Sequence, residues 1–213
     1  MCFRSNEKGE VDMVVHHHQV KDYDKLHPTL KERYNRAFTA EGIMEEIGGG
    51  TKLIRLLFKI GPLFRCFFPE RGRNIPFQIV NKPFTTSKGE EGMHWFRTFY
   101  FPDKERHFDA DMIIDQKSHQ VLDYFGKPRL LVSELHFTVT EKGFLHIQSG
   151  KQKFLLFGRE WPLPSWLYGE SDVTEGYDEH AGEYTIDVQV KNRLFGTLFT
   201  YKGRFTERVS PHE

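Results

Sequence analysis

A long stretch of alternating apolar and polar residues constrains the fold of this chain more than any other feature. It covers residues 77–209, and its clearest strand covers residues 94–101. Successive side chains of a strand point to opposite faces of the sheet. Four side chains of that strand therefore share one face: Trp95, Arg97, Phe99 and Phe101. An arginine among three aromatic rings predicts a β-rich domain with a semi-polar interior.

The guanidinium of Arg97 must be paired, reach water or hold a ligand if it lies on an apolar face. Arg97 is therefore a candidate anchor for a carboxylate or phosphate inside a cup. The alternatives are an internal salt bridge, with Glu134 as its partner, or a position at the surface. Glu134 shares a face of its strand with His136. That pair suits acid–base chemistry, or it simply faces solvent.

Turn-forming residues divide the β region into short strands, for example at Lys88-Gly89 and Ser149-Gly150. Consecutive strands with short turns predict an antiparallel meander. The predicted strands cover residues 77–84, 94–101, 106–115, 120–126, 130–140, 143–149, 152–157, 182–190 and 195–209. We therefore predict an α+β fold, in which N-terminal helices cover a curved antiparallel β-sheet or half-barrel of about eight strands.

Apolar residues at helical spacing predict helices ahead of the sheet. The first covers residues 26–38 and has Pro28 in its first turn. A second covers residues 40–47 and ends at a run of three glycines. A third, over residues 51–68, is amphipathic and is interrupted at Gly61-Pro62.

These patterns predict a loose N-terminal arm over residues 1–25 and a single α+β domain over residues 26–209. Within that domain, residues 26–68 are predicted to be helical and residues 75–209 to form the β meander. The sequence shows no repeat at a solenoid or propeller period.

The amphipathic segment over residues 52–68 has two interpretations. One side carries Lys52, Arg55 and Lys59 and could lie on an anionic membrane. The other side is apolar and could instead cover the sheet. We favour the cover, which predicts burial of four side chains: Leu53, Leu56, Leu57 and Ile60.

A connection of more than 20 residues, 158–181, is long for a compact domain and predicts a functional loop or a missed element. Its first half is aromatic. We expect this half to close over the mouth of the sheet and to bury Trp161 or Trp166. Its second half is acidic, and we expect residues 170–179 to stay mobile in solvent.

Composition excludes some functions. The 30 Lys and Arg balance 30 Asp and Glu, so no overall field attracts nucleic acid. Only two cysteines occur, Cys2 and Cys66, and neither has neighbours at metal-ligand spacing. We therefore predict a cytoplasmic protein without a disulfide framework. No signal peptide and no membrane-spanning helix is predicted. The run over residues 16–18 is interpreted as solvated histidines, so no metal site is predicted.

Several landmarks resemble a bacterial family known as Domain of Unknown Function 4166. They are Leu26-His27-Pro28, the run over residues 95–99, the turn over residues 158–164, and residues 196–205. The resemblance covers roughly residues 26–208. In that family the domain stands alone or follows a saccharopine-dehydrogenase-like domain, and the residues before Leu26 are expected to be too few for one. The family has no assigned activity, so the resemblance implies no catalytic residue and no cofactor.

The sequence best supports a protein that binds a small apolar or anionic ligand in an aromatic-lined cup without catalysis. The candidate ligand-binding residues are Arg97, Trp95, Phe99, Glu134, His136, Trp161 and Tyr201. One alternative is an enzyme or enzyme-accessory domain that uses Arg97, Glu134 and His136. Another is a peripheral membrane or protein-interaction module that acts through residues 52–68. No catalytic motif is present, and the ligand, cofactors and oligomeric state are not identified by the sequence.

Overall fold

The computed structural model describes residues 19–34 and 36–208. The histidine run, most of the predicted arm and the last residue of the predicted domain lie outside these ranges. Strands dominate the described chain. They are β1 Val20–Lys21, β2 Phe38–Gly48, β3 Gly72–Thr85, β4 Glu91–Phe101, β5 Lys104–Ile114, β6 Val121–Phe125, β7 Leu131–Val139, β8 Leu145–Leu156, β9 Arg159–Pro162, β10 Glu170–Asp178, β11 Glu183–Asn192 and β12 Gly196–Glu207.

Ten of these strands form a closed antiparallel barrel. Their order is β7-β6-β5-β4-β3-β2-β12-β11-β10-β8, and pairing between β7 and β8 closes the ring. β1 adds to β7 in parallel, and β9 adds to β8. The predicted antiparallel pairing is confirmed. The predicted half-barrel of about eight strands under N-terminal helices is wrong, because the sheet closes on itself with ten strands.

The second predicted helix, residues 40–47, is wrong because this segment belongs to β2. Ala40, Met44 and Ile47 are buried and recur at helical spacing. In this strand, two features replace the usual two-residue period of buried side chains by a helix-like spacing. Gly42 lies between Ala40 and Met44 without a side chain, and the pairing of β2 with β12 shifts register near Gly203. A Cβ on Gly42 would lie 2.0 Å from the carbonyl oxygen of Arg204, so this close strand approach requires glycine.

The first predicted helix is shorter than expected. Helix α1 covers Pro28–Arg33, and Pro28 in the first turn is confirmed. The side chain of His27 caps the helix by accepting a hydrogen bond from the backbone N–H of Thr29 at 3.2 Å. The helix ends before Phe38 because Phe38 already begins β2. Leu30 and Tyr34 are buried and close this end of the barrel, which we call the helix end.

A buried ion pair fixes α1 inside the helix end. Arg33 Nη1 donates to Glu175 Oε2 at 2.8 Å, and both side chains are almost fully buried. The hydroxyl of Tyr34 donates to the same oxygen. The pKa of Tyr34 is raised well above its ordinary value, mainly by burial and to a smaller extent by the negative charge of Glu175. The Arg33 guanidinium also lies 4.8–5.8 Å from the centroids of five rings: Tyr34, Phe38, Trp95, Tyr184 and Phe205.

We expect Arg33→Ala to lower the free energy of unfolding by about 3–5 kcal/mol, because it leaves the Glu175 carboxylate buried without its partner. Urea unfolding followed by circular dichroism measures this change. The matched control is Glu32→Ala in the same helix, whose side chain is 70% exposed and pairs with Arg36 at the surface. The control should change stability by no more than about 1 kcal/mol. Equal losses in the two variants would contradict the anchoring role of Arg33.

Candidate functional site

The end of the barrel opposite α1, which we call the mouth, carries the longer connections between strands. Because neighbouring strands are antiparallel, alternate connections meet at the same end. The mouth therefore contains residues 49–71, 102–103, 126–130, 157–169 and 193–195. The helix end contains short turns together with α1.

Residues 52–68, which we call the mouth segment, cross this opening. Helix α2, Lys52–Leu57, is followed by a 3₁₀ turn at Gly61–Phe64, so the predicted break at Gly61-Pro62 is confirmed. Beyond the turn, the carbonyl oxygen of Arg65 accepts from the N–H of Asp109 at 2.9 Å. The carbonyl oxygen of Phe64 accepts from the N–H of Lys127 at 2.7 Å. These bonds tie the segment, which leaves β2, to the far wall of the barrel.

The mouth segment turns a different set of side chains inward than was predicted. Its buried residues are Ile54, Cys66 and Phe68, with Phe58 and Phe67 partly buried. The ring of Phe67 stacks on Phe58 at 5.1 Å between centroids. The predicted burial of four side chains is wrong, because they are 56–59% exposed: Leu53, Leu56, Leu57 and Ile60. Helix α2 has only six residues and turns one side toward the barrel. That side carries Ile54, so Leu53, Leu56 and Leu57 face solvent.

A cavity of about 200 Å³ lies inside the barrel below the mouth segment. Its walls come mainly from β4 to β8 and β10 to β12. Phe58 and Phe67 cover it from the mouth segment, and Leu163 and Leu167 cover it from residues 157–169. Most of the lining is aromatic or aliphatic, as is usual for sites that hold small apolar ligands.

The connection over residues 157–169 is fastened to the barrel by one side chain. Gln152 donates to the carbonyl oxygen of Gly169 at 2.7 Å and accepts from its N–H at 3.0 Å. The predicted burial of the tryptophans is wrong, since Trp161 is 54% and Trp166 52% exposed. Leu163 and Leu167, rather than the tryptophans, cover the cavity from this connection. The predicted mobile acidic half is also wrong, because residues 170–178 form barrel strand β10.

Arg97 points into the barrel and is 8% exposed, so its predicted inward, buried position is confirmed. Its guanidinium carbon lies 5.7 Å from the centroid of Trp95 and 5.3 Å from that of Phe108. Nη1 donates to the carbonyl oxygen of Phe108 at 3.5 Å, the outer limit of a hydrogen bond. Among the described residues Arg97 Nε has no hydrogen-bond partner, and neither has the indole Nε1 of Trp95.

Asp123 of β6 lines the same cavity and was not singled out from the sequence. It is fully buried, and its Oδ1 has no partner within residues 19–34 and 36–208. Burial raises the pKa of Asp123 from 3.8 to about 7, although the nearby Arg97 guanidinium opposes this rise. A signal for Asp123 existed in the alternation of its strand, because Val121 and Phe125 on either side are apolar and share its face.

The candidate residues from the sequence divide into two groups. Trp95, Arg97 and Tyr201 line the cavity, and burial raises the pKa of Tyr201. Phe99 is fully buried but packs against other rings, including Tyr201 at 5.5 Å, rather than lining the space. The remaining three do not join this site: Glu134, His136 and Trp161.

Glu134 and His136 point away from the cavity because they alternate along β7 with Ser133 and Leu135, which line it. Glu134 instead accepts from the backbone N–H of Lys151 at 3.3 Å. Glu134 is therefore not the internal partner of Arg97. Trp161 lies on β9, the strand added outside the ring, and is exposed.

The part of the chain that the structure describes contains no cluster of three or more His, Cys, Asp or Glu side chains suited to a metal ion. Within those residues no helix has the length and apolarity that a bilayer span requires. The polar groups that line the cavity are the Arg97 guanidinium, the Trp95 indole N–H and two carboxyl groups, with hydroxyl and amide groups nearby. The carboxyl groups belong to Asp123 and to Glu175, and Glu175 is paired with Arg33.

Comparisons with known proteins agree with the resemblance seen in the sequence. A family model described as a domain of unknown function (DUF4166) matches residues 26–205. A protein of Bacillus subtilis (strain 168), described as uncharacterized protein YndH, is 47% identical over 197 residues. The match covers 91% of this chain and 96% of that protein. Neither description names an activity.

The raised pKa of Asp123 predicts a specific pH dependence of stability. Aspartate in an unfolded chain titrates near pH ~3.9, whereas folded Asp123 titrates near 7. Between these values the folded state binds more protons, so this group lowers the free energy of unfolding as pH rises. Asp123→Asn should therefore gain stability relative to wild type from pH 5 to pH 7, by on the order of 1 kcal/mol per pH unit. Urea unfolding across this range measures the gain.

The control is Asp115→Asn at an exposed turn. Hydrogen bonds from Ser118 lower the pKa of Asp115, so this group stays ionised in both states above pH 5 or so. The stability difference between wild type and the control should not change with pH in this range. Parallel stability curves for wild type and Asp123→Asn would contradict the burial of an unpaired carboxyl group.

Proposed function

We propose that this chain, which belongs to the DUF4166 family of domains of unknown function, binds a small amphiphilic anion inside its barrel without catalysis. The apolar body of the ligand occupies the cavity, and its anionic head group lies against Arg97 and Trp95. The proposed ligand-binding residues are therefore Trp95, Arg97 and Tyr201 from the sequence, together with Asp123.

The observation that carries this proposal is a set of unpaired polar groups around one apolar space. Arg97 Nε and Trp95 Nε1 are buried donors without acceptors among the described residues. A buried donor that lacks an acceptor lowers stability, and a buried unpaired charge lowers it more. A carboxylate or phosphate between the two donors would satisfy both. Arginine forms its strongest hydrogen bonds with such groups.

The size of the cavity limits the ligand. Engineered apolar cavities of about 150 Å³ bind benzene, and this cavity measures about 200 Å³. One aromatic ring or a short acyl chain therefore fits without rearrangement. A longer chain would have to extend through the mouth, between Phe58 and Leu167.

Asp123 supports the choice of an anion. With a pKa near 7 this carboxyl group keeps its proton under mildly acidic conditions and can donate a hydrogen bond to an anionic head group. Above that pH it becomes an additional negative charge beside the bound anion. Binding of an anion should therefore weaken as pH rises through 7.

The competing enzyme hypothesis, with Arg97, Glu134 and His136 as one site, loses its geometric basis because two of these residues point outward from β7. We retain the cytoplasm as the proposed location. Its support is the low cysteine content: the chain has two cysteines, and the one in the described residues, Cys66, is a free thiol. Nucleic acid is not among the proposed partners.

The test is calorimetric titration with octanoate and with the neutral analogue octanol. We expect octanoate to bind, and Arg97→Met to weaken this binding by about tenfold or more, since a hydrogen bond to a charged group contributes roughly 1.5–3 kcal/mol. Methionine keeps most of the side-chain volume. Octanol affinity should change little in Arg97→Met, because octanol has no charge for Arg97 to pair.

Arg204→Met is the matched control. Arg204 lies on the outside of the barrel with its side chain 46% exposed and pairs with Glu45, so both affinities should equal those of wild type. Failure of octanoate and octanol to bind the folded protein would refute an accessible apolar cavity. Equal octanoate affinity in Arg97→Met and wild type would refute the anion site.

A further inference from the structure

Exposed large apolar side chains in the connections between strands are confined to the mouth. Within the described residues the turns of the helix end expose none of them. At the mouth they come from three separate connections and are 39–95% exposed: Leu53, Leu56, Leu57, Ile60, Leu63, Phe157, Trp161, Trp166, Leu167, Leu194 and Phe195. Monomeric proteins rarely expose contiguous apolar patches of more than a few hundred Å², so a surface of this kind indicates a binding partner.

The same end is basic although the whole chain is formally neutral. The carboxylates at the mouth are already paired within the chain: Asp103 with Lys104, Glu70 with Arg106, Glu160 with Lys153 and Glu170 with Arg193. Lys52, Arg55 and Lys59 lie on the mouth segment, are exposed, and form no ion pair with any described residue. These three cations alternate with exposed leucines.

We infer that the mouth of the barrel docks onto the surface of an anionic lipid bilayer. The exposed leucines and aromatic rings enter the boundary between head groups and acyl chains, and Lys52, Arg55 and Lys59 contact the lipid phosphates. The three connections then act together, since the single turn-and-a-half of α2 has too little apolar area for stable binding by itself.

Charge decides between a membrane and a second copy of the chain. A twofold dimer through the mouth would place the same patch of both copies face to face. The unpaired cations of one copy would then oppose those of the other without carboxylates between them. An anionic bilayer supplies the opposite charge over the whole patch.

The docking surface is continuous with the cavity. The mouth segment exposes Leu57 outward, while the adjacent Phe58 lines the cavity. In a docked barrel, the opening of the cavity would therefore face the bilayer. The inference does not rest on the proposed ligand, because the exposed leucines and cations are not part of the anion site.

The test is co-sedimentation with vesicles of phosphatidylglycerol and phosphatidylcholine, at low and high salt. We expect the wild-type protein to sediment at low salt and to release as salt rises, because screening weakens the attraction of the cations. Vesicles of phosphatidylcholine alone should bind much less. Arg97→Met should sediment as wild type does, which separates this test from that of the ligand.

Two triple variants with the same change of net charge give the matched comparison. Lys52→Glu/Arg55→Glu/Lys59→Glu alters the mouth and should reduce binding about tenfold or more. Lys88→Glu/Lys117→Glu/Lys142→Glu alters three exposed lysines in turns of the helix end and should leave binding close to wild type. Leu57→Ser/Leu63→Ser should also release the protein, since these side chains are 56% and 77% exposed and contribute little to folding.

Three results would overturn the inference. The first is wild-type protein that stays in solution with anionic vesicles at low salt. The second is equal loss of binding in the two triple variants, which would reflect net charge rather than the mouth. The third combines two observations: wild-type protein does not bind vesicles, and light scattering shows a dimer that Leu57→Ser/Leu63→Ser converts to a monomer. This result would assign the surface to a second copy of the chain.

Discussion

Pairing between β7 and β8 closes ten strands into a ring and thereby sets the size of the interior that the chain has to fill. About eight strands give an interior that side chains can just fill. Ten strands give a wider interior, and this chain fills it in three ways. α1 enters one end, the mouth segment enters the other, and large rings such as Phe99 and Phe199 occupy the middle. The cavity is the volume that these elements leave empty.

The buried arginines at the two ends of the barrel differ in whether a carboxylate pairs with them. At the helix end, Arg33 forms an ion pair with Glu175 that holds α1 in place, although Arg33 Nε and Nη2 have no hydrogen-bond partner among the described residues. In the cavity, neither Arg97 nor Asp123 forms an ion pair with a described residue, and each has a buried polar atom without a hydrogen-bond partner there. A barrel that served only as a packed scaffold would gain stability from apolar residues at these two positions. Their position at the wall of an apolar cavity is the physical basis of the proposed ligand site.

The mouth segment connects the cavity to the outer surface. Its inward residues Phe58 and Phe67 cover the cavity, and its outward residues are exposed leucines and lysines. Contact between this outer side and a bilayer would change the surroundings of the same short helix that covers the cavity. The proposed ligand site and the proposed membrane surface therefore meet in one element, α2 and the turn that follows it.

The antiparallel strands and the inward position of Arg97 could be predicted from the sequence, since a period of two residues fixes which side chains share a face. Prediction from the sequence was wrong where pairing with a distant strand alters the local pattern of buried residues. Residues 40–47 resembled a helix because a register shift and Gly42 gave a strand helical spacing. Three features could not be predicted from the sequence: the sheet closes, Asp123 rather than Glu134 lies near Arg97, and the leucines of the mouth segment face outward. Each of these outcomes depends on which strands meet across the barrel, and the alternation within a single strand carries no information about its distant neighbours.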